Sequence, residues 1–544
     1  MLPPLFRIAC LASALAALVG LIFALNLVGQ PLADPTLKGM LNFYPYTFAR
    51  FEPLSLGAIA AFFLGILLIR RGNPGKWEEI TRLLGSKRLP LVVAVIVLIF
   101  TSIGRFTIHQ NFDLCIDEYL NELEGEILQQ HHIVAEVPQP WIAYRTALQL
   151  PYQIYKGTET QGYWASGFLP GFALLDHAFD LLYLGWFLNP LLAALSLGLL
   201  TSLSRRAFPD ENVLFANIAV LLLACSPQFL FMAMAKFAWT AHLFGTLLWI
   251  WLFTHPNRMA FLLTPILGVV LIGLHQPHVH LLVAAPFLLR LVYTSRWRAL
   301  IWFGTWYLAG AWAWFQVLDF LRPSVFGQGG EAANLGFPVV LSIFVMICHG
   351  ITLLAWMTPL LVPLAMVSIW SFRRQPALVQ DSLLASLLTV LFYFGFPHLQ
   401  GHGWGYRYMH PVYGCLALAG SGGALILYRD YRAIPLQKMV LYSLLFSIVI
   451  QVPFRIYEVR TMVIPLARTW EFIESRPTDY VLVQTASIWY GCDLIRNDPW
   501  LKRKPLIFND SKLTPSQRQK LIQNGSISTV GPQDVAAFGG IIEK

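Results

Sequence analysis

Asp117 and Glu118 stand side by side in CIDEYLNELEGE (Cys115 to Glu126), a stretch dense in carboxylates. Asp113, Asp117, Glu118, Glu122, Glu124 and Glu126 fall within fourteen positions of a 544-residue chain that has 29 acidic residues in all. A carboxylate at a low-dielectric border is hard to hydrate, so its pKa can be tuned. Set against a hydroxyl, it can take the proton and speed attack by roughly 10²–10⁴-fold. Three later stretches add other chemistry. SPQFLFMAMAKFAWTAHLF carries Lys236 and His242, and GLHQPHVH carries His275, His278 and His280 around Pro277. GHGWGYRYMHP carries His402, Trp404, Tyr406, Arg407, Tyr408 and His410. Arg407 can fork onto two phosphate oxygens at once. Glu118, His275, His278 and His280 are candidate ligands for a divalent metal, although His-x-x-His-x-His spacing is not specific for one.

Each residue also has an ordinary structural reading. Tyr and Trp form aromatic belts at membrane surfaces, Pro277 can open a helix, and Lys236 can snorkel. Their joint placement says more. Carboxylates, imidazoles, a lysine and an arginine at one membrane face suit a substrate with an anionic headgroup and a lipid tail.

The elements that must position these residues are membrane helices. The chain is 56% hydrophobic and only 12% charged. Long continuous apolar runs recur at the length a helix needs to cross a bilayer, about 20 residues. About thirteen spans are predicted. They lie near 6–28, 53–70, 89–106, 184–203, 213–232, 238–254, 259–274, 279–294, 299–318, 343–370, 382–397, 409–428 and 437–455. A cleaved signal peptide is the rival reading of the first run, but no small-x-small site closes it. The net charge of +9 reports topology. RRGNPGKWEEITRLLGSKR, SRRAF, HPNRMA, RLVYTSRWR, SFRRQP and YRDYRAIPLQK all fall on the cytoplasmic side if the N-terminus is cytoplasmic. The acidic stretch, the histidine cluster, the Arg407 cluster and the C-terminal tail then lie outside.

The expected organisation is four regions. Residues 1–106 hold three spans, 107–183 form an external loop, 184–456 hold about ten more spans, and 457–544 form a small soluble α/β domain. In the last, YVLVQT, PLIFND and SISTVG read as strands. TPSQRQKLIQNG reads as a helix capped by Thr514, with Pro515 first and Gly525 as stop. Within the acidic stretch, Ile116, Leu120, Leu123 and Ile127 form an apolar stripe at helical spacing. This predicts an amphipathic helix lying on the outer membrane surface. Glu118, Glu122 and Glu126 then face water, and Asp113, Asp117 and Glu124 sit on the border. The six cysteines show no framework, and Cys115 with Cys492 is the one pair placed to form a disulfide.

DEYLNELEGEIL, YWASGFLPGFALL, NPLLAALSLGLLTSLSRR, SPQFLFMAMAKFAW, GLHQPHVHLLVAAPFLL and GYRYMHP follow one another in an order that resembles the GT-C membrane glycosyltransferases. The resemblance is to the bacterial branch similar to protein O-mannosyltransferases and the lipid-A aminoarabinose transferase, and it covers residues 110–430. It implies a GT-C-like all-α polytopic membrane fold. It also implies transfer of a sugar from a polyprenyl-phosphate carrier to an acceptor outside the cytoplasmic membrane, with inversion. Asp117 would be the general base and Glu118 its helper, by positioning or by holding a metal. Arg407, Tyr406 and Tyr408 would lie near the donor phosphate, with Lys236, His242, His275 and His278 as further substrate contacts. The acceptor would be an envelope glycolipid, a polysaccharide or a protein. The chain departs from the family pattern at GFLPGF, which keeps only Pro170 and Gly171, at Trp239, and at Gln276-Pro277. Each departure removes a possible phosphate or metal contact. The alternatives are a flippase or transporter for lipid-linked sugars and an inactive GT-C-like assembly subunit. Span interiors nearly free of charge argue against a transporter.

Overall fold

The computed structural model describes residues 3–27, 47–69, 82, 84–209, 211, 213–321, 339–396, 400, 403–431 and 435–542. His402, one of the sequence candidates, lies outside them. The described chain is mostly helical, with a helix or bent helix pair at each predicted run. Seven of these are long and apolar enough to cross a membrane, or up to nine if each bent pair counts as one span. Trp239–Phe253, Arg258–Ile272 and Pro277–Tyr293 are shorter apolar helices.

The bent pairs show why the chain breaks where it does. Val213–Ala224 and Pro227–Met234 meet at 59°, and Ile343–Trp356 and Leu361–Trp370 at 111°. Pro227 and Pro359 stand at the two breaks, and proline lacks the N–H that would continue a helix. Backbone groups freed inside an apolar bundle need partners, and the two breaks supply them to each other. Ser226 Oγ donates to Trp356 O at 3.0 Å and Thr358 Oγ1 to Leu222 O at 2.9 Å. Gln451 Nε2 donates to both Ala355 O and Met357 O. Helices approach closely where side chains are absent. A Cβ on Gly423, in Tyr413–Asp430, would lie 2.0 Å from Leu364 O of the neighbouring helix.

Charge inside the bundle is denser than the sequence suggested. Arg455 in Val452–Glu474 is fully buried. It binds Glu52 Oε2 at 2.7 Å and Ser55 Oγ at 3.0 Å, pairs with Glu458, and lies 4.2 Å from the Trp356 ring centroid. Trp356 Nε1 donates to Glu52 Oε1 at 2.9 Å. The cluster is tolerated because each charge has a partner.

Two small sheets complete the fold. Strands β1 (Ala135–Glu136), β2 (Gln153–Gly157) and β3 (Gly162–Ser166) form an antiparallel sheet ordered β1-β3-β2. Strands β4 (Tyr480–Val483), β5 (Leu506–Asn509) and β6 (Ile527–Val530) form a parallel sheet ordered β5-β4-β6. Between β5 and β6 lies the helix Pro515–Asn524, with Thr514 Oγ1 accepting the Gln517 N–H at 3.2 Å.

The acidic helix, Ile116–Gln129, corrects the expectation of a surface helix. Glu118, Tyr119, Leu120, Asn121, Leu123, Glu124, Gly125 and Ile127 are all buried. Of its five acidic residues only Glu122 is exposed. The helix packs against Gly171–Asp180 and β3 and bonds to the 496–503 loop. The cover on these faces is partly polar, so carboxylates can be buried there with partners. All six cysteines are free thiols, so Cys115 and Cys492 form no disulfide.

Candidate active site

Glu118 is part of the start of the acidic helix. Its Oε2 accepts the N–H groups of Leu114 at 3.0 Å and Cys115 at 3.4 Å, while Oε1 accepts the Lys236 N–H at 2.7 Å. Helix starts leave such donors without partners, and here one carboxylate satisfies that of the N-cap Cys115, takes the Leu114 N–H before it and binds a second segment. The residue is 0% exposed. Burial, then the Asp113 carboxylate, pushes its carboxyl up to about 7, against Arg105 and the backbone donors. Glu118 is therefore a knot between the acidic helix and the 235–238 turn. Asn121 strengthens it, donating to Asp117 O at 2.8 Å and Lys236 O at 3.4 Å.

Asp117, one residue earlier, points elsewhere. Its Oδ2 lies 2.8 Å from Arg407 Nη2, with side chains 16% and 7% exposed. Arg407 is held by its surroundings. Its N–H donates to Gln400 Oε1 at 3.0 Å, and its guanidinium lies 5.2 Å from the Phe237 centroid and 5.5 Å from that of Tyr408. The turn before it depends on Gln228, which accepts the Tyr406 N–H and donates to Tyr406 O, both at 2.8 Å. Gly405 has φ +63°, and a Cβ there would meet Gln228 Oε1 at 2.2 Å. Both facts call for glycine. Nε and Nη1 of Arg407 are buried and make no well-formed hydrogen bond, while the Tyr408 side chain interacts with the guanidinium. A buried cation whose donors are incompletely satisfied is expensive, and an oxyanion is a ligand that would satisfy them.

An aromatic wall continues from Arg407. The Tyr408 ring meets Trp239 edge-on at 5.2 Å and stacks on Tyr393 at 4.8 Å. Tyr393 Oη bonds His278 Nε2 at 3.0 Å, and Tyr406 stacks on His349 at 4.5 Å. Trp239 also meets His275 at 5.7 Å, which stacks on Phe168 at 4.2 Å and faces His242 at 6.4 Å. The chain at 168–172 reaches His275 through backbone bonds from Leu169, Gly171 and Phe172 to residues 273–275. Two positions that depart from the family pattern, Trp239 and the GFLPGF turn with Phe168, thus share one aromatic cluster around His275.

Asp117, Arg407, Tyr406, Tyr408, His242, His275 and His278 are therefore linked in one continuous neighbourhood. Lys236 and His280 are not. Lys236 Nζ lies 3.0 Å from Asp176 and 3.8 Å from Asp180. Burial works against its ammonium, but Asp176 and Asp113, with Glu122 and Asp180, outweigh it and hold the pKa above the ordinary lysine value. His280 bonds Tyr307 Oη at 2.8 Å and packs on Trp249, inside the bundle. The metal candidates Glu118, His275, His278 and His280 do not converge. Among the described residues no group of three or more His, Cys, Asp or Glu is placed to hold a metal ion.

Three buried residues escaped the sequence reading. Arg105 pairs with Asp113 at 2.7 Å. Burial alone would raise the Asp113 carboxyl, but Arg105, Lys236 and Arg496 overcome it and hold it well below the carboxylate range. His109, fully buried against Trp404, is lowered to about 3, by burial first and then by Arg105. Arg496 comes from the C-terminal segment and has no local motif. Arg105, a charge in the last turn of an apolar run, was the one signal available in the sequence.

Neither a family model nor a curated protein matches the chain. Solved structures to which the chain is similar include the following. Against ArnT from Cupriavidus metallidurans bound to undecaprenyl phosphate, the similarity covers 76% of this chain and 86% of that one, at 14% identity and a TM-score of 0.48. Against the oligosaccharyltransferase AglB from Archaeoglobus fulgidus, in complex with an inhibitory peptide and a dolichol-phosphate, it covers 79% of this chain and 64% of that one, at 13% identity and a TM-score of 0.41. The same oligosaccharyltransferase in complex with zinc and sulfate matches over 78% of this chain and 62% of that one, at 13% identity and a TM-score of 0.41.

Proposed function

We propose that the chain is a GT-C-like membrane glycosyltransferase that moves a sugar from a polyprenyl-phosphate carrier to an acceptor hydroxyl or phosphate. The site would face the periplasmic side of a bacterial inner membrane, with 457–544 on the same side. The observation that carries this reading is the Asp117–Arg407 pair, in which the buried guanidinium keeps donor capacity beyond Asp117 and Tyr408.

In this reading the donor phosphate forks onto Nε and Nη2 of Arg407, and its negative charge displaces Asp117 from Nη2. Asp117 is thereby released toward the acceptor. For a hydroxyl acceptor, its carboxylate takes the proton as the oxygen attacks the anomeric carbon from the face opposite the phosphate. A carbon–oxygen bond to the acceptor forms, the bond from the anomeric carbon to the phosphate oxygen breaks, and configuration inverts. The leaving lipid phosphate takes the bonding electron pair and is stabilised by Arg407, a fixed cation aimed at developing charge. Tyr406, Tyr408 and Trp239 supply the walls that orient donor and lipid. Glu118 acts through the backbone, keeping the acidic helix against the 235–238 turn.

Asp117→Asn tests the assignment. The variant should be produced and inserted normally, yet transfer from a labelled polyprenyl-phosphate sugar should fall by at least about 100-fold. Transfer at the wild-type rate would remove Asp117 as the base. Reconstituted vesicles also distinguish a transferase from a flippase, since only the former leaves a modified acceptor. Mass analysis of envelope glycans and lipids from a deletion strain would identify that acceptor.

A further inference from the structure

Arg496 reaches from the C-terminal segment to the base of the acidic helix. Its Nη2 donates to the backbone carbonyl of Asp113, and its Nε donates to Asp493 O at 2.7 Å. The guanidinium lies 4.2 Å from the Phe112 centroid, 5.1 Å from Tyr119 and 5.6 Å from Trp470, an aromatic box drawn from two helices and the strap before one of them. Such stacking suits arginine rather than lysine. Asp113 is thus gripped twice, its carboxylate by Arg105 and its carbonyl by Arg496. The next two residues donate to Glu118, and Asp117 follows as the second residue of the helix.

The loop that carries Arg496 is held by its own hydrogen bonds. Asn497 exchanges two hydrogen bonds with Ile507 of β5, at 2.8 and 2.9 Å. Asp498 accepts the N–H groups of Trp500, Lys502 and Arg503. The loop grips the acidic helix and β3 at further points. Tyr119 Oη donates to Asn497 O at 3.0 Å, Trp164 Nε1 to Pro499 O at 2.7 Å, and Arg503 pairs with Glu126.

We infer that Arg496 is a positioning residue, and that the C-terminal segment is a clamp that sets Asp117 against Arg407. The inference rests on the proposed reading of Asp117 as the base. A base must reach its proton within hydrogen-bond distance, and a misplacement of about 1 Å costs on the order of 100-fold. The strap at 112–115 is short and leads directly into Asp117, so slack introduced at the Asp113 carbonyl is passed to the base. Arg407 is held from its own side by Gln400 and by the Phe237 and Tyr408 rings, so loosening the strap leaves the guanidinium in place for the donor.

The test uses the full-length protein in lipid nanodiscs with a labelled polyprenyl-phosphate sugar. Arg496→Gln should lower kcat by about 10–100-fold while donor KM stays within about twofold. Amide exchange should quicken across 112–121 and remain unchanged in the apolar helices. Arg496→Lys, which keeps a cation in the aromatic box and one donor for the carbonyl, should recover part of kcat. Tyr119→Phe removes one grip without changing charge, and it carries the test if Arg496→Gln does not fold. Its kcat should fall in the same direction by less. Wild-type kcat and exchange in these variants would overturn the clamp. So would a loss of kcat that comes with raised KM and faster exchange throughout the protein, the mark of mere destabilisation. If the wild-type protein transfers no sugar from such donors, the reading of the site falls. Exchange at 112–121 then decides the clamp alone, with faster exchange supporting it and unchanged exchange overturning it.

Discussion

Arg407→Ala separates donor binding from chemistry. The substitution removes the partner of Asp117 at 2.8 Å and the guanidinium donors that would hold phosphate. In the proposed reading two of them, Nε and Nη2, bind phosphate oxygens. A hydrogen bond to a charged group is worth about 1.5–3 kcal/mol, so losing two costs at least about 3 kcal/mol. At 1.4 kcal/mol per tenfold, donor KM should rise by at least about 100-fold. Arg407→Lys should fall between, because lysine keeps the charge but not the fork. The assay is steady-state transfer by purified protein in nanodiscs, with donor varied at saturating acceptor. If donor KM stays within twofold of wild type while kcat collapses, Arg407 holds Asp117 rather than the phosphate, and the assignment of its donors is wrong.

Other consequences can be checked on the same preparation. Lys236→Met should leave donor KM unchanged, because Lys236 faces Asp176 and Asp180 rather than Arg407. It should instead destabilise the protein by about 3–5 kcal/mol, the cost of leaving a buried carboxylate without its cation, read as a lower melting temperature in detergent. Arg455→Met should destabilise by a similar amount, since Glu52 and Glu458 lose the charge between them. Glu124 is buried, and burial pushes its carboxyl from 4.5 up to about 7, against the Ser166 N–H bond. The folded state therefore binds the proton more tightly than the unfolded chain. Its contribution to stability is full below about 4.5 and is lost as pH rises through about 7. Glu124→Gln should lose less melting temperature between pH 5 and pH 8 than wild type does. Equal losses would show that Glu124 does not titrate in this window.

Much of the local structure could be read along the chain. The apolar runs are helices, the Thr514 cap and Pro515 start are in place, and YVLVQT, PLIFND and SISTVG contain β4, β5 and β6. The acidic helix was legible as a helix and misread as a surface. Its 3.6-residue pattern marks Glu118 and Glu126 as polar, and polarity normally means water. Here Glu118 is capped by three backbone donors and Glu126 by Arg503, so polar partners take the place of solvent. Periodicity cannot tell a solvated carboxylate from a satisfied one.

The grouping of site residues divides in the same way. Clusters such as GYRYMHP and HQPHVH announce themselves by composition, and the aromatic wall around Tyr408, Trp239 and His275 is drawn from them. Lys236 and His280 look equally suitable in the sequence, but their side chains turn into other partnerships. For Lys236 the deciding residues, Asp176 and Asp180, lie on a helix of their own.

The sequence by itself determined where the apolar helices and the C-terminal strands form, which stretches carry reactive side chains, and that the chain is built for a bilayer; it did not announce β1, β2 and β3. Those properties depend on run length, spacing and residue type, which act over a few turns of chain. Only the tertiary structure decided which carboxylate faces which cation. Asp117 finds Arg407, Glu118 finds the backbone of Lys236, and Asp113 is held by both Arg105 and Arg496. Ion pairs and buried hydrogen bonds act over a few ångströms between residues hundreds of positions apart, so their pairing is settled only when the helices pack.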